Sequence, residues 1–184
     1  PYGSTNNTFQ NCTVHNRSFA VYLADAVNAN TVEGCNLSGN LYAVYGIQNS
    51  SGQGNRILNN DLSNSSGVAL QFAADNALEI SGNTYTGSAS GIYLFQMNGV
   101  ALADADLSQT LILSLQLGNV SNSTFSNIQA GGASQGVSAT GSNGNTFTNV
   151  DATYAGGGAA GIGIYLPYGS TNNTFQNCTV HNRS

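Results

Sequence analysis

PYGSTNNTFQNCTVHNRS, residues Pro1–Ser18, occurs again without a single change as residues Pro167–Ser184. The two copies start 166 residues apart, and eighteen identical residues do not arise by chance. Internal repetition is the first property to establish in a sequence, because it decides the fold class. We expect residues 1–184 to form a single solenoid, in which residues 1–166 are one cassette and residues 167–184 begin an identical one. The chain is then a fragment of a longer tandem array.

A shorter period runs inside the cassette. Strings related to Asn7–Val14 recur along the whole chain, and each carries one apolar anchor residue. The anchors are Phe9, Val32, Ile57, Ile80, Leu102, Phe125, Phe147 and Phe175. They are separated by 23, 25, 23, 22, 23, 22 and 28 residues. The cassette therefore holds seven short repeats, and the chain reaches into an eighth.

The residue two positions after each anchor is always Asn, Gly or Asp. This corner column consists of Asn11, Gly34, Asn59, Gly82, Asp104, Asn127, Asn149 and Asn177. These residue types tolerate a left-handed backbone. The column predicts a sharp corner between two short strands in every repeat.

A second alternating strand follows the corner in each repeat. We expect its inward pairs to be Val21 and Leu23, Val44 and Gly46, Val68 and Leu70, Ile92 and Leu94, Leu113 and Leu115, Val137 and Ala139, and Ile164 and Leu166. The widest anchor spacing, 28 residues, comes from an insertion with the sequence AGGGAAG, Ala155–Gly161. Such an insertion is expected to form an external loop.

Three short strands per repeat predict an all-β fold, a parallel β-helix of about seven to eight coils with 22–28 residues each. Each strand pairs with its equivalent in the next coil about 4.8 Å away, so a cassette rises about 34 Å. A leucine-rich repeat is the rival solenoid, but its L-x-x-L-x-L pattern and helical segment are missing.

Segments such as GIYL, Gly91–Leu94, and NTFTNV, Asn145–Val150, resemble the right-handed parallel β-helix repeats of the pectin-lyase-like superfamily. They are most similar to the NosD-type and surface-protein versions. The resemblance covers the whole chain and implies a right-handed β-helix. It implies no single function, because that fold hosts lyases, hydrolases, tailspikes, adhesins and structural proteins.

The composition excludes several kinds of partner. Only 6% of the residues are charged, there is no lysine, and the net charge is −5. Without basic patches, binding to nucleic acid or to anionic membranes is not expected. No apolar run approaches the roughly 18 residues that would span a bilayer, so we expect no membrane insertion.

Enzymes that resemble this chain act mainly on acidic polysaccharides. Polygalacturonase-like members carry Asn-x-Asp, Asp-Asp, His-Gly and Arg-Ile-Lys motifs, and the last three are absent here. Pectate-lyase-like members need an acidic calcium cluster and a basic residue that abstracts a proton. A chain without lysine has few residues for that role. We therefore expect no enzymatic activity, no cofactor and no metal.

The best remaining catalytic candidates are Asp61, Asp106 and Asp151, each four residues after an anchor. They fall on alternate coils of one outward column, about 9.6 Å apart by the strand spacing. That separation is near the upper limit for the two carboxyl groups of inverting glycosidases. The structural alternative is a ladder in which neutral residues separate like charges, and we favour it because nothing in the sequence would give the acids different pKa values.

Other side chains have a structural reading beside a functional one. His15 and His181 are expected to be solvated turn residues rather than functional groups. Tyrosines on an outward column can stack on sugar rings or pack between coils, and we favour packing because Ala69, Ser114 and Ser138 interrupt the column. The column contains Tyr22, Tyr45, Tyr93 and Tyr165.

Cysteines and glycosylation sequons leave further questions open. Cys12 and Cys35 should stack in adjacent coils, either as two buried thiols or as a strained disulfide, and Cys178 repeats Cys12. Asn-x-Ser/Thr sequons begin at Asn6, Asn11, Asn16, Asn36, Asn49, Asn64, Asn119 and Asn122. All but the first two are expected to be exposed sites for sugars, and Asn11 is expected to be locked in its corner and inaccessible.

Together these features predict an extracellular or cell-surface structural protein that forms a stiff rod, sheath, layer or filament. An adhesin or carbohydrate-binding stalk that recognises cell-surface glycans is the first alternative, and a polysaccharide lyase or hydrolase is the second. The eighth coil has no cap, and open strand edges recruit other chains. Within the chain, we expect Cys178 and Val180 of the eighth coil to stack on Val150 and Ala152 of the seventh. Between molecules, we expect the protein to partner itself by head-to-tail stacking of its ends.

Overall fold

The computed structural model describes residues 3–25, 27–132, 134–154 and 161–182, and within residues 48–51 the main chain only. All regular secondary structure in these residues is β-strand, arranged in two parallel sheets. The first sheet contains β1 (Thr8–Gln10), β3 (Thr31–Glu33), β5 (Arg56–Leu58), β7 (Glu79–Ser81), β9 (Ala101–Asp106), β11 (Thr124–Gln129), β13 (Thr146–Asp151) and β15 (Thr174–Gln176). The second contains β2 (Phe19–Ala24), β4 (Tyr42–Gln53), β6 (Val68–Asn76), β8 (Ser90–Phe95), β10 (Leu113–Gly118), β12 (Gln135–Thr140) and β14 (Ile162–Tyr165).

Each strand pairs with its equivalent in the coils before and after it, as the short repeat requires. Phe125 pairs with Phe147 in the first sheet, and Val137 pairs with Ile164 in the second. The third face of the early coils is reduced to single bridges that run from Thr13 through Asn36 to Asp61. In β9, β11 and β13 the strand continues through the corner and includes this face, and in the last coil the face is again a single bridge, from Asp151 to Thr179. The all-β, right-handed parallel β-helix is confirmed.

The anchor residues form the core beside the first sheet. Val32, Ile57, Ile80, Leu102, Phe125 and Phe147 are at most 1% exposed. The rings of Phe147 and Phe175 stack with centroids 4.5 Å apart. Phe9 faces the same way but is 39% exposed, because no described coil covers its outer side. Burial at this column therefore depends on a neighbouring coil on both sides.

The second sheet corrects three of the predicted inward pairs. The structure pairs Val44 with Leu70 and Gly46 with Phe72, so the inward pair of β6 is Leu70 and Phe72 rather than Val68 and Leu70. In β10 the inward pair is Leu115 and Leu117 rather than Leu113 and Leu115. Leu166 lies beyond the end of β14 and is 43% exposed. The pairs in β2, β4, β8 and β12 are buried as predicted.

A large residue beside glycine explains the register of β6. A Cβ atom placed on Gly46 would lie 2.4 Å from the ring of Phe72. The missing side chain of Gly46 is thus the space that the buried Phe72 ring occupies. Close packing of large against small residues selects one register where hydrophobicity alone allows two.

The corner column adopts the left-handed backbone that its residue types predict. The φ angles of Asn11, Gly34, Asn59, Gly82, Asp104, Asn127, Asn149 and Asn177 lie between 53° and 66°. The prediction is confirmed at all eight positions. The predicted external loop, Ala155–Gly161, lies outside the described residues except for Gly161.

Asn59→Val tests the corner column. Valine at a φ of 55° forces its branched side chain against the backbone, and we expect the free energy of unfolding to fall by about 1–2 kcal/mol. Denaturant midpoints measure this change. Thr84→Val is the matched control, since Thr84 is exposed in an ordinary strand conformation nearby and should tolerate valine. Equal midpoints for the two variants would contradict the assignment.

Candidate functional site

The three candidate acids lie in one outward column, as the spacing predicted. The bridges join Asp61 to Thr84 and Thr84 to Asp106, and β11 then places Gln129 between Asp106 and Asp151. Asn59–Asp61 and Asn149–Asp151 read Asn-x-Asp, the one polygalacturonase-like motif that the chain does contain. In both, the asparagine is the corner residue.

Each of these carboxylates holds the turn that follows it. The amide of Ser63 donates to Asp61 over 3.0 Å, and that of Ser108 donates to Asp106 over the same distance. The Ser63 and Ser108 hydroxyls donate to the same oxygens. These bonds form local turns between side chain and main chain, which polar residues commonly make at strand ends.

Asp151 follows the same pattern with Thr153. The hydroxyl and amide of Thr153 lower the pKa of the Asp151 carboxyl, so it stays ionised. A general acid needs a raised pKa instead. Among the described residues there is also no cluster of three His, Cys, Asp or Glu side chains that could hold a metal ion.

The histidines lie at exposed turns. The Nδ1 atom of His15 is 2.8 Å from the carbonyl oxygen of Ser38 in the next coil. The main-chain oxygen of His181 accepts a hydrogen bond from the amide of Tyr154. Both contacts join neighbouring coils. They support the structural reading of this position.

The tyrosine column is interrupted at three positions, as predicted, but two of the interrupting residues differ from the prediction. Tyr45 pairs with Gln71, Tyr93 pairs with Gln116, and Ser138 pairs with Tyr165. Gln71 and Gln116 therefore take the places assigned to Ala69 and Ser114, because of the register of β6 and β10.

A cluster of aromatic rings covers the outer face of the first two coils. It consists of Phe19, Tyr22, Tyr42 and Tyr45, and we call it the aromatic patch. Ring centroids within the patch lie 4.7–5.5 Å apart. Tyr22 is 56% exposed, whereas Tyr45 is half-buried and its pKa is raised by burial. Such cross-coil packing stabilises the sheet, and the exposed ring faces also suit a sugar.

The cysteines are free thiols. Cys12 and Cys35 lie in adjacent coils, but the Cys35 sulfur accepts a hydrogen bond of 3.4 Å from the Cys12 amide. Burial raises the pKa of the Cys35 thiol. Cys178 is also free, and the pairing of Asp151 with Thr179 places it beside Val150. Cys35 is buried and Cys178 is half-buried, but Cys12 is exposed, so the expectation of two buried thiols holds for Cys35 alone.

Two ladders of buried asparagine side chains run from coil to coil, one before the anchors and one after the corners, and sequence reasoning missed both. In the ladder two residues before the anchors, Asn55 accepts hydrogen bonds from the amide and the side chain of Asn30, at 2.9 and 3.1 Å. In the ladder three residues after the anchors, the Oδ1 atom of Asn83 accepts two hydrogen bonds of 2.9 Å, one from the main-chain amide of Asn60 and one from its side chain. These bonds satisfy main-chain groups that the turns would otherwise leave unpaired in the core. The signal in the sequence is the repetition of Asn at fixed offsets from the anchors.

The first ladder ends on a buried carboxyl group that the sequence analysis did not single out. Asp75 is fully buried, and its Oδ2 atom accepts a hydrogen bond of 2.6 Å from the Asn55 side chain. Its Oδ1 atom has no hydrogen-bond partner among the described residues. Burial raises the pKa of Asp75 to about 6. Asp75 stands five residues before its anchor, where other coils have Val27, Met97 and Val120.

Several sequons are exposed. Asn16, Asn36, Asn64, Asn119 and Asn122 are exposed as predicted. Asn11 is in its corner but is also exposed, so the prediction that it is inaccessible is wrong. The side chain of Asn49 lies outside the described residues.

Comparison with known proteins places the sequence in a family. Residues 2–107, more than half of the chain, match the model of the family described as right handed beta helix region. No curated protein matches the sequence. No helix in the described part of the chain has the length and apolar character to cross a membrane.

Solved structures resemble the chain only distantly. A crystal structure of a candidate glycosyl hydrolase from Parabacteroides merdae is 11% identical, with a TM-score of 0.46 over 99% of this chain and 84% of that one. QnrB1, a plasmid-mediated fluoroquinolone resistance protein, is 12% identical in the form of a trypsin-treated variant, with a TM-score of 0.26 over 90% of this chain and 92% of that one. Full-length QnrB1 is 13% identical, with a TM-score of 0.22 over 96% and 94%. All three TM-scores are below 0.5.

Proposed function

Because this chain belongs to the family of right-handed β-helix regions, we propose that it is a structural repeat protein that forms a stiff rod, sheath, layer or filament at the cell surface or outside the cell. The observation that carries the proposal is the continuity of its two sheets, with eight and seven strands in unbroken order. Identical cassettes extend such sheets without a change in surface or core. The low-charge exterior offers no basic face for nucleic acid.

A chain of two cassettes tests the rod. The test protein joins residues 1–166 to a complete copy of residues 1–184. The added cassette contributes seven coils, so we expect the particle to be about 34 Å longer than the present chain, with the same cross-section. Small-angle X-ray scattering measures both quantities. A particle that grows in width instead of length would contradict a continuous rod.

We further propose that the protein has no hydrolase or lyase activity, since the three column acids are engaged in turns. Incubation with polyuronates should release neither reducing ends nor unsaturated products above a buffer blank. Asp61→Asn and Asp106→Asn are the matched variants. Dose-dependent cleavage by the unmodified chain that either variant abolishes would overturn this proposal.

A carbohydrate-binding stalk is the second candidate, and the aromatic patch is the observation that favours it. A glycan array distinguishes the two functions, because a pure scaffold retains no glycan. Binding that Tyr22→Ser abolishes would make the protein an adhesin. Tyr93→Ser is the control, since Tyr93 stands outside the patch and contacts only the ring of Phe95 among the aromatic residues described.

A further inference from the structure

The outer faces of the two sheets differ in polarity. The first sheet presents hydroxyl and charged side chains to the outside, among them Thr124, Thr148 and the ion pair of Arg56 with Glu79. In the second sheet, outward side chains alternate with the buried inward pairs, and many of them are apolar or aromatic. We call the outward side chains of this second sheet the lateral face.

The inner strands of the second sheet carry apolar columns on the lateral face. Val68 and Leu113 pair with the same residue, Ser90 of the strand between them. Ile47 pairs with Ala73, which in turn pairs with Phe95. These apolar side chains are only half-buried, although each of their strands is paired on both sides. Their exposure therefore belongs to the face of the sheet and not to an edge.

The lateral face is filled between neighbouring coils. A Cβ atom placed on Gly118 would lie 2.4 Å from the ring of Phe95, so this ring lies across the next coil. The ring of Tyr93 is next to it, with centroids 6.3 Å apart. Sheets with such apolar faces pack on one another about 10 Å apart.

Exposed aliphatic residues flank the lateral face where its strands begin. Leu111 and Ile112 come directly before β10 and are 68% and 60% exposed. Leu41 comes directly before β4 and is 42% exposed. Aliphatic side chains offer no ring face for a sugar, but they gain from contact with other apolar side chains. The composition of this surface thus favours a protein over a glycan as its partner.

The distribution of charge favours a second copy of the same chain. The net charge is −5, so two copies repel each other. Within the described strands of the second sheet the single charged residue is Asp75, which is buried. The outward acids Asp61, Asp106 and Asp151 lie in another column. Contact between two lateral faces therefore brings no like charges together, whereas a cationic partner would be attracted to the acidic column instead.

The area of the lateral face is sufficient for a stable contact. Four of its seven strands have six residues each, namely β2, β8, β10 and β12. Seven strands of this length cover about 34 Å by about 20 Å, or roughly 700 Å². Two such faces bury roughly 1,400 Å², which is within the range of specific protein interfaces. Uncovered apolar patches of this size are rare on monomeric proteins.

We propose that a second copy of this chain binds side by side, lateral face against lateral face. The contact is self-complementary, because the same surface of both copies takes part in it. The inference rests on the proposed structural role and narrows it to rods that are joined along their length, as a sheath or a layer requires. In this arrangement the aromatic patch lies within the contact between the two copies.

Gln71→Glu combined with Gln116→Glu tests the lateral contact. Both glutamines lie in the central outward column of the lateral face, and each is paired with Tyr93. Glutamate has the same shape but places like charges in a contact that excludes water. We expect the dissociation constant of the dimer to rise at least about a hundredfold.

Ser81→Glu combined with Ser126→Glu is the matched control. It adds the same two charges, also two coils apart, but on the outer face of the first sheet. Salt at physiological concentration screens charges that lie far from the contact, so this variant should associate like the unmodified chain. Circular dichroism checks that both variants keep the fold.

Two measurements decide the outcome. Sedimentation velocity over a dilution series gives the dissociation constants, and small-angle X-ray scattering gives the shape of the dimer. We expect a dimer that is thicker than the monomer at unchanged length. A dimer that is longer at unchanged cross-section would overturn the inference, and so would equal weakening by both pairs of substitutions.

A chain that stays monomeric at all concentrations would also overturn the lateral contact. If that monomer binds a neutral glycan, and Gln71→Glu with Gln116→Glu abolishes the binding, the lateral face is a sugar site instead. The two-cassette chain is measured below the dissociation constant of the dimer, where its length does not depend on lateral association. Failure of this inference and failure of the proposed rod are therefore distinguishable.

Discussion

Asn55→Ala is expected to lower the free energy of unfolding by about 3–5 kcal/mol, because orphaned buried polar groups are destabilising by roughly 1–3 kcal/mol each. The Asn55 side chain accepts two hydrogen bonds from Asn30. It donates two more, to the carbonyl oxygen of Val27 at 2.9 Å and to Asp75 at 2.6 Å. All of these groups are buried, and alanine replaces none of the bonds. Chemical denaturation at neutral pH measures the loss.

Asn98→Ala is the matched control for this variant. The Asn98 side chain accepts hydrogen bonds from Ser121 and Asn122, but at an exposed position where water replaces them. We expect a change below about 1 kcal/mol there. If Asn55→Ala is no more destabilising than Asn98→Ala, the ladder contributes little to stability.

Asp75→Asn is expected to stabilise the protein above pH 6 and to change its stability little near pH 4. The Asp75 carboxyl has a pKa of about 6 in the native protein, against 3.8 for an ordinary aspartate. The native state therefore binds the proton more tightly than the unfolded state, and stability falls as pH rises from about 4 to about 6. Above that range the charged carboxylate destabilises the native state by about 3 kcal/mol. Asparagine keeps an acceptor for the Asn55 side chain and carries no charge.

Denaturant midpoints at a series of pH values check this expectation. Asp104→Asn is the control, because Asp104 is exposed at a corner and accepts a hydrogen bond from Asn127. Its substitution should leave the decline between pH 4 and pH 6 in place. If the decline also persists in Asp75→Asn, another group is responsible for it.

The corner column shows what a sequence with this periodicity can reveal. A left-handed backbone excludes most side chains, so the requirement at Asn59 or Gly82 is visible in the residue type itself. The anchors are equally visible, because one apolar residue must recur in each coil. Conformational requirements that restrict the residue type at one position can thus be predicted from the sequence alone.

Register is less readable, as Val68 and Phe72 show. A shift by two residues keeps every side chain on the same face of a strand, so the hydrophobic pattern of β6 fits both choices. The structure selects the pair Leu70 and Phe72 because Gly46 leaves room for the Phe72 ring. That choice depends on volume in a neighbouring coil, which the alternation of residues does not record.

The polar ladders were hidden by composition. Asparagine is common along the whole chain, so the buried Asn30 and Asn55 do not stand out from the exposed Asn98. Asp75 interrupts a column of apolar and small residues, but that column becomes visible only when residues are aligned five positions before the anchors. The functional candidates Asp61, Asp106 and Asp151 were visible because acids are rare, and their turn contacts needed the structure.

The nearest-neighbour pairing of the strands has a consequence for the chain under load. Every strand pairs only with the coil before and the coil after it, so a coil pulled from one end leaves the rest intact. A released coil of 23 residues extends to about 80 Å of chain. When the molecule is pulled from its ends, its force–extension curve should show a sawtooth of nearly equal increments, one per coil. Unfolding one coil at a time would dissipate mechanical energy while the remaining coils stay folded.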